Sequence, residues 1–294
     1  MRVSEISALL NLLEDEEELI WQSAESALEK LELETIQNLV LDFDLSEIQL
    51  NRVNKISLSV KYLKLKNRLE DWKANRSYHL LEAMAIVCNI KYNEVTEESL
   101  SNSIEKLRLE AWLEFHYDLT AFEKVKIINY ILFQLNGFKG DESDFLNPDN
   151  SFLNKVLENR KGNPISLAIV YLMVSQNLNL PIFGVNLPKH FILTYLEIEA
   201  EDAPQNFNQK SVFKEIPDKA AMFYINPYDL GSVFTREQLS KIIKQLDLED
   251  KIEYFKPCNN TEIITRVLKN LYNGYLNSGH IETLYIKQLV EVFE

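Results

Sequence analysis

The chain has 294 residues, 46% of them hydrophobic, which is enough for one large domain or two to three small ones with a real core. Lys and Arg number 31 against 45 Asp and Glu, a formal net charge of −14. That excess repels a phosphate backbone or an anionic membrane surface, so neither nucleic acid nor membrane is expected as a partner. No apolar run approaches the ~20 residues of a membrane span.

At the N-terminus, acidic residues stand where a secretory signal would have its apolar core, and a cytoplasmic location is expected. Residues 4–40 read as a helical hairpin. Ile6, Leu9, Leu10, Leu12 and Leu13 form one face, Ser4 is a plausible cap, and residues 17–31 form the second helix. Residues 42–47 connect to a helical, basic stretch over 50–72 with Arg52, Lys55, Lys61, Lys64, Lys66 and Arg68. Such spacing reads as a solvated face that balances neighbouring acids, in preference to a nucleic-acid surface. Residues 79–87 continue as helix, and 93–96 break it. Residues 100–112 and 120–137 are two further amphipathic helices, with Trp112, Phe115 and Tyr117 between them as core or domain seam. The acidic loop 139–149 lacks EF-hand spacing. Cys88 and Cys258 have no metal-ligand spacing, and both are expected to be reduced. No metal site and no cofactor are expected.

Residues 150–195 organise the rest. Asn150-Ser151 reads as the cap of a short helix over 152–159. Gly162-Asn163-Pro164 then breaks the chain. Asn163 fits an N-cap and Pro164 the first helical position. Ile165, Leu167, Ala168, Ile169, Val170, Leu172, Met173 and Val174 follow, apolar nearly all round, so this helix is central and buried and ends before Pro181. Strands are predicted over 182–186, 191–197 and 222–226, with His190 opening the second. Residues 202–219 read as an exposed excursion between the second and third. Thr235 with Gln238 is a capping box for a helix to Leu246. Helices over 261–275 and 281–293 close the chain.

The segments NPDNSFLNKVLENRKGNPISLAIVYL, GVNLPKHFIL and YINPYDLG resemble the SirB-type, YchA-like bacterial proteins of the transglutaminase-like superfamily, over at least residues 128–235. The resemblance implies a papain/transglutaminase-like core, with a nucleophile at the N-terminus of the buried helix, a His opening the next strand and an Asp or Asn on the strand after. It implies tetratricopeptide-like helices at the C-terminal end, of which only one pair is present. Two departures stand out: Asn226-Pro227 replaces the usual Asp-Pro, and Lys189 precedes His190 where a small or amide residue is common. The superfamily pattern puts the catalytic Cys at Pro164, and Ser166 is the only nucleophile-type side chain in the first turn. A Ser166–His190–Asn226 arrangement is conceivable, although a Ser two residues on points to another face, at ~100° per residue. Ser166 capping its own helix is the simpler reading.

The expected fold is α+β and mostly helical. An N-terminal helical region (1–127) precedes a transglutaminase-like core (128–235) of a buried helix plus a small antiparallel sheet, and C-terminal helices (236–294) follow. The favoured function is a non-catalytic interaction or regulatory protein on that scaffold, binding a protein partner or peptide-like ligand. The alternative is a hydrolase or acyl-transfer enzyme using Ser166, His190 and Asn226. A weaker possibility is a small-ligand binder that uses the residual cleft around Asn163, His190 and Asn226, with Pro164 and Lys189 also lining it.

Overall fold

The computed structural model describes residues 2–188, 190–197, 221–247, 249 and 251–294. Lys189 and the excursion expected over 202–219 lie outside these residues.

The chain opens with α1 (Val3–Leu12), α2 (Glu18–Leu28), α3 (Leu33–Asp42) and the long α4 (Glu47–Asp71). Three helices precede α4 where one hairpin was expected. The break before α3 carries no side-chain cap and no Gly or Pro, so nothing local announced it. Ser46 caps α4, its hydroxyl accepting from Gln49 N at 3.2 Å. Three of the basic side chains of α4 have local partners. Arg52 lies 4.0 Å over the Trp21 ring, and Lys55 and Lys66 stand 3.9 Å from Glu25 and Glu70.

Two apolar clusters share α4. Val53 and Ile56 close a small core with α1, α2 and α3, whereas Tyr62, Leu65 and Leu69 enter the main core. The main core then takes residues from α5 (Leu80–Cys88), α6 (Glu97–Leu113), α7 (Ala121–Asn129) and everything that packs around the central helix. The aromatic group between α6 and α7 is not the core seam expected. Trp112 and Tyr117 are exposed, and only Phe115 packs partly inward. Ile104, Leu107 and Ala111 hold the buried face of α6, and Trp112, one residue further, is turned ~100° away.

The central helix α9 (Pro164–Asn177) is buried from Ile165 to Ser175. Its large apolar side chains each contribute roughly 1.5–3 kcal/mol by leaving water. It follows α8 (Leu153–Asn159), and a two-residue parallel pairing of β1 (Lys139–Gly140) with β2 (Lys161–Gly162) stands at its entrance. The antiparallel sheet has the order β3-β4-β5-β6, made of β3 (Ile182–Leu187), β4 (His190–Leu196), β5 (Ala221–Asn226) and β6 (Ser232–Phe234). Three residues of β6 are too few to show alternation. Phe191, Leu193, Tyr195 and Ile225 face the main core, whereas Val185, Leu187, Ile192 and Tyr224 face a third cluster with α10 (Arg236–Gln245). α11 (Asn260–Asn277) and α12 (Thr283–Glu291) complete the main core as one helical pair.

Candidate functional site

The entrance to α9 is where the motif residues meet. Asn163 is the N-cap, and its Oδ1 accepts from Ser166 N at 3.0 Å. Ser166 answers: its hydroxyl accepts from Asn163 N at 3.0 Å and donates to Asn163 O at 3.1 Å. The other end of the Asn163 amide donates to Ser151 Oγ at 2.8 Å, and Asn150 Nδ2 donates to Asp144 O at 2.8 Å. All four side chains are buried, and Ser166 and Ser151 are 0% and 2% exposed. Ser151 was expected to cap the short helix. It receives the Asn163 amide instead, and the residue before α8, Phe152, makes no side-chain cap.

Gly162 completes the seam. A Cβ there would stand 2.5 Å from Ser166 Oγ and 3.2 Å from Val156 Cγ1. Only a glycine lets the hydroxyl fold back over the chain. The pairing of β1 with β2 adds Lys139 N to Arg160 O at 3.0 Å and Asp141 N to Gly162 O at 3.1 Å. Arg160, in a left-handed conformation that ends α8, lays its guanidinium 4.7 Å over the Phe138 ring. Pro164 is partly exposed at the first helical position.

Asn226 ends β5 and serves a turn. Its Oδ1 accepts from Tyr228 N at 3.2 Å, and its carbonyl accepts from Gly231 N at 2.9 Å. A partly buried chain ties this turn to α9: Tyr171 OH donates to Asn129 Oδ1 at 3.0 Å, and Asn129 Nδ2 donates to Gly231 O at 2.7 Å. Sequence reasoning missed Asn129, because an Asn on an amphipathic helix gives no sign of a partner about a hundred residues away.

His190 is exposed at the start of β4, opposite Leu187 on β3. Side chains alternate along a strand, so His190 shares its face with Ile192 and Leu187, both in the cluster away from α9. Among the described residues the hydrogen bonds of the Ser166 hydroxyl all go to Asn163. The structure therefore brings Ser166 and Asn163 together, and holds Asn226 in its own turn. It does not assemble Ser166, His190 and Asn226 into one hydrogen-bonded set.

The chemistry open to the helix end follows. A nucleophile needs a base on its hydroxyl, and an oxyanion needs free backbone donors. Here Ser166 Oγ donates to a carbonyl, Ser166 N is spent on Asn163 Oδ1, Leu167 N donates to Asn163 O at 3.1 Å, and Pro164 has no N–H. The thiols supply no substitute. Cys88 and Cys258 are buried, and burial pushes Cys88 up to about 11 and Cys258 well above the ordinary thiol range. Among the described residues no group of three or more His, Cys, Asp or Glu could hold a metal ion, and no helix is long and apolar enough to cross a membrane.

A family model described as the transglutaminase-like superfamily matches residues 98–269, more than half of the chain. A UPF0162 protein of Xylella fastidiosa is 27% identical over 162 residues, 53% of this chain and 50% of that one. UPF0162 protein YchA of Escherichia coli is 24% identical over 221 residues, 73% of this chain and 72% of that one. A stretch of 70 residues is 37% identical to human F-box only protein 21, 24% of this chain and 11% of that protein. The chain spans about half the length of the Xylella relatives it matches. No solved structure matches it significantly. With a buried helix, an antiparallel sheet and Asn163 and Ser166 joined at the helix entrance, the chain belongs to the transglutaminase-like superfamily as a YchA-like member.

Proposed function

We propose that this protein is a non-catalytic interaction or regulatory protein that uses the transglutaminase-like fold as a scaffold and acts in the cytoplasm on a protein partner or peptide-like ligand. The observation that carries the reading is the Ser166 hydroxyl. It is fully buried and both accepts from and donates to the Asn163 backbone inside a capping box. The resemblance puts the superfamily's Cys at Pro164, and Ser166, the one nucleophile-type side chain in the first turn of α9, is buried.

The surface supports the interaction side. Leu109, Trp112, Leu113, Tyr117 and Phe122 are exposed along α6, α7 and the segment between them, and Tyr130 just past the end of α7. Beside them a cleft of about 620 Å³ opens between Phe122 and Lys126 on α7 and the turn at Asp229–Val233. Both cysteines are free, as a reducing compartment leaves them.

Serine-directed labelling with a fluorophosphonate, read by intact mass, tests the proposal. No stoichiometric adduct is expected on the native protein. An adduct that forms at Ser166 and disappears in both Ser166→Ala and His190→Ala would overturn the proposal in favour of the hydrolase alternative.

A further inference from the structure

Arg266 lies on α11, which packs against β3, and it is only partly exposed. Its Nη1 donates to Asn186 Oδ1 at 3.5 Å, the far limit of a hydrogen bond. Among the described residues it forms no ion pair. The nearest acid along the helix, Glu262, sits one turn earlier, and its carboxylate accepts from Asn259 N at 2.9 Å in the capping box of α11. Burial lowers the Arg266 pKa, and no neighbouring acid offsets it. A guanidinium carries five N–H donors and no acceptor, and a partly desolvated cation is ordinarily paired.

Asn186 lies on the sheet face turned toward the main core, opposite Phe191. Two residues earlier on β3, Gly184 O accepts from Cys258 N at 2.7 Å, so the chain leading into α11 covers the strand edge there. Arg266, from α11, reaches Asn186 two residues further along the strand. The Asn186 side-chain nitrogen donates to nothing among the described residues, so donors from a strand and a helix converge there without an acid between them.

We infer that Arg266 and Asn186 form a binding site for a carboxylate. The planar guanidinium fork matches a carboxylate in two parallel hydrogen bonds, and the Asn186 amide supplies a third donor beside it. One cation balances one carboxylate. A phosphate dianion would leave surplus negative charge partly out of water, in a protein whose formal net charge is already −14. The inference stands whether or not Ser166 is inert, because it uses neither Ser166 nor His190.

The test is a titration of ¹⁵N-labelled protein at constant ionic strength with sodium acetate, with N-acetylglycine, with N-acetylglycine amide and with inorganic phosphate. Acetate and N-acetylglycine are expected to shift the Asn186 side-chain amide and the Arg266 Nε signal saturably, and the uncharged amide to shift neither. N-acetylglycine binding at least ~10-fold tighter than acetate assigns the site to a peptide terminus; equal affinities assign it to a small organic acid. Arg266→Gln should abolish the response with the rest of the spectrum intact. Arg266→Lys keeps the charge and the apolar stem but loses the fork, and should weaken binding about 10-fold. Shifts that never saturate, that persist unchanged in both variants, or that saturate more tightly with phosphate would overturn the assignment.

Discussion

Replacing Gly162 with Ala places a Cβ 2.5 Å from Ser166 Oγ, 3.2 Å from Val156 Cγ1 and 3.4 Å from Leu167 Cδ2. Gly162 is not among the positive-φ glycines, so the backbone itself accepts Ala, and Ala at a compatible site ordinarily stabilises by about 0.4–1 kcal/mol. Any loss therefore measures the crowding. Overpacking a buried site costs about 1–3 kcal/mol, and pushing Ser166 Oγ off Asn163 N removes a cap worth about 1 kcal/mol. A net destabilisation of about 2–3 kcal/mol is expected. Ser166→Ala alone should cost about 1 kcal/mol by breaking the same cap. In the double variant the tightest contact is gone and only Val156 remains close, so the second substitution should add less than about 1 kcal/mol. The assay is urea denaturation followed by far-ultraviolet circular dichroism on the four proteins. A coupling of at least ~1 kcal/mol is predicted. Additivity within about 0.5 kcal/mol would refute the claim that the hydroxyl lies back over Gly162.

Other consequences follow from the same contacts. Asn163→Ala removes the acceptor for Ser166 N and the donor to Ser151 Oγ, both buried, and should cost about 2–4 kcal/mol; urea midpoints check it, and Asn163→Asp, which keeps the acceptor, should cost less. Gly140→Ala drives a Cβ into the Tyr228 ring and should displace the turn after Asn226, seen as loss of near-ultraviolet signal with helical content retained. Both thiols should stay unlabelled by a disulfide reagent at pH 8 until denaturant exposes two per chain. The Cys88 thiol is pushed from 9.0 up to about 11 by burial, so the folded state favours its protonated form. That contribution is whole below pH 9 and is lost as pH rises to about 11, amounting to about 2–3 kcal/mol. Burial likewise raises Tyr275 to about 12, which extends the loss upward. Stability against urea should fall from pH 9 to 11; Cys88→Ala should lessen that fall but not abolish it, because burial raises the Cys258 thiol as well.

The central helix was legible because every signal agreed: Asn163 as cap, Pro164 in the first turn, and an apolar run with no polar face. Thr235 with Gln238 was readable for the same reason. What could not be read was long-range. The partner of the Asn163 amide is Ser151, twelve residues back across the whole of α8, and local pattern suggested Ser151 as the cap of α8. Arg266 looked like one more basic residue on an amphipathic helix, and only the packing of α11 on β3 sets it beside Asn186. The face of His190 depends on whether strand pairing places it opposite Leu187 or one residue away, and a one-residue slip reverses the side. The helix break before α3 left no trace, since no cap residue stands there.

The claim that Ser166 and Asn163 close the end of α9 is tested most directly by native-state hydrogen exchange at two backbone amides. First-turn amides of a helix usually exchange fast, because they lack intrahelical partners. Here Asn163 N–H is held by Ser166 Oγ at 3.0 Å, with Asn150 O a longer second acceptor at 3.4 Å, and Ser166 N–H is held by Asn163 Oδ1 alone, all out of water, so Ser166 N–H is the sharper probe. Both should exchange as slowly as amides in the middle of α9, such as Leu172. Exchange at near-unprotected rates at these two positions, with Leu172 still protected, would mean the helix end is open to solvent and substrate, and would contradict the account.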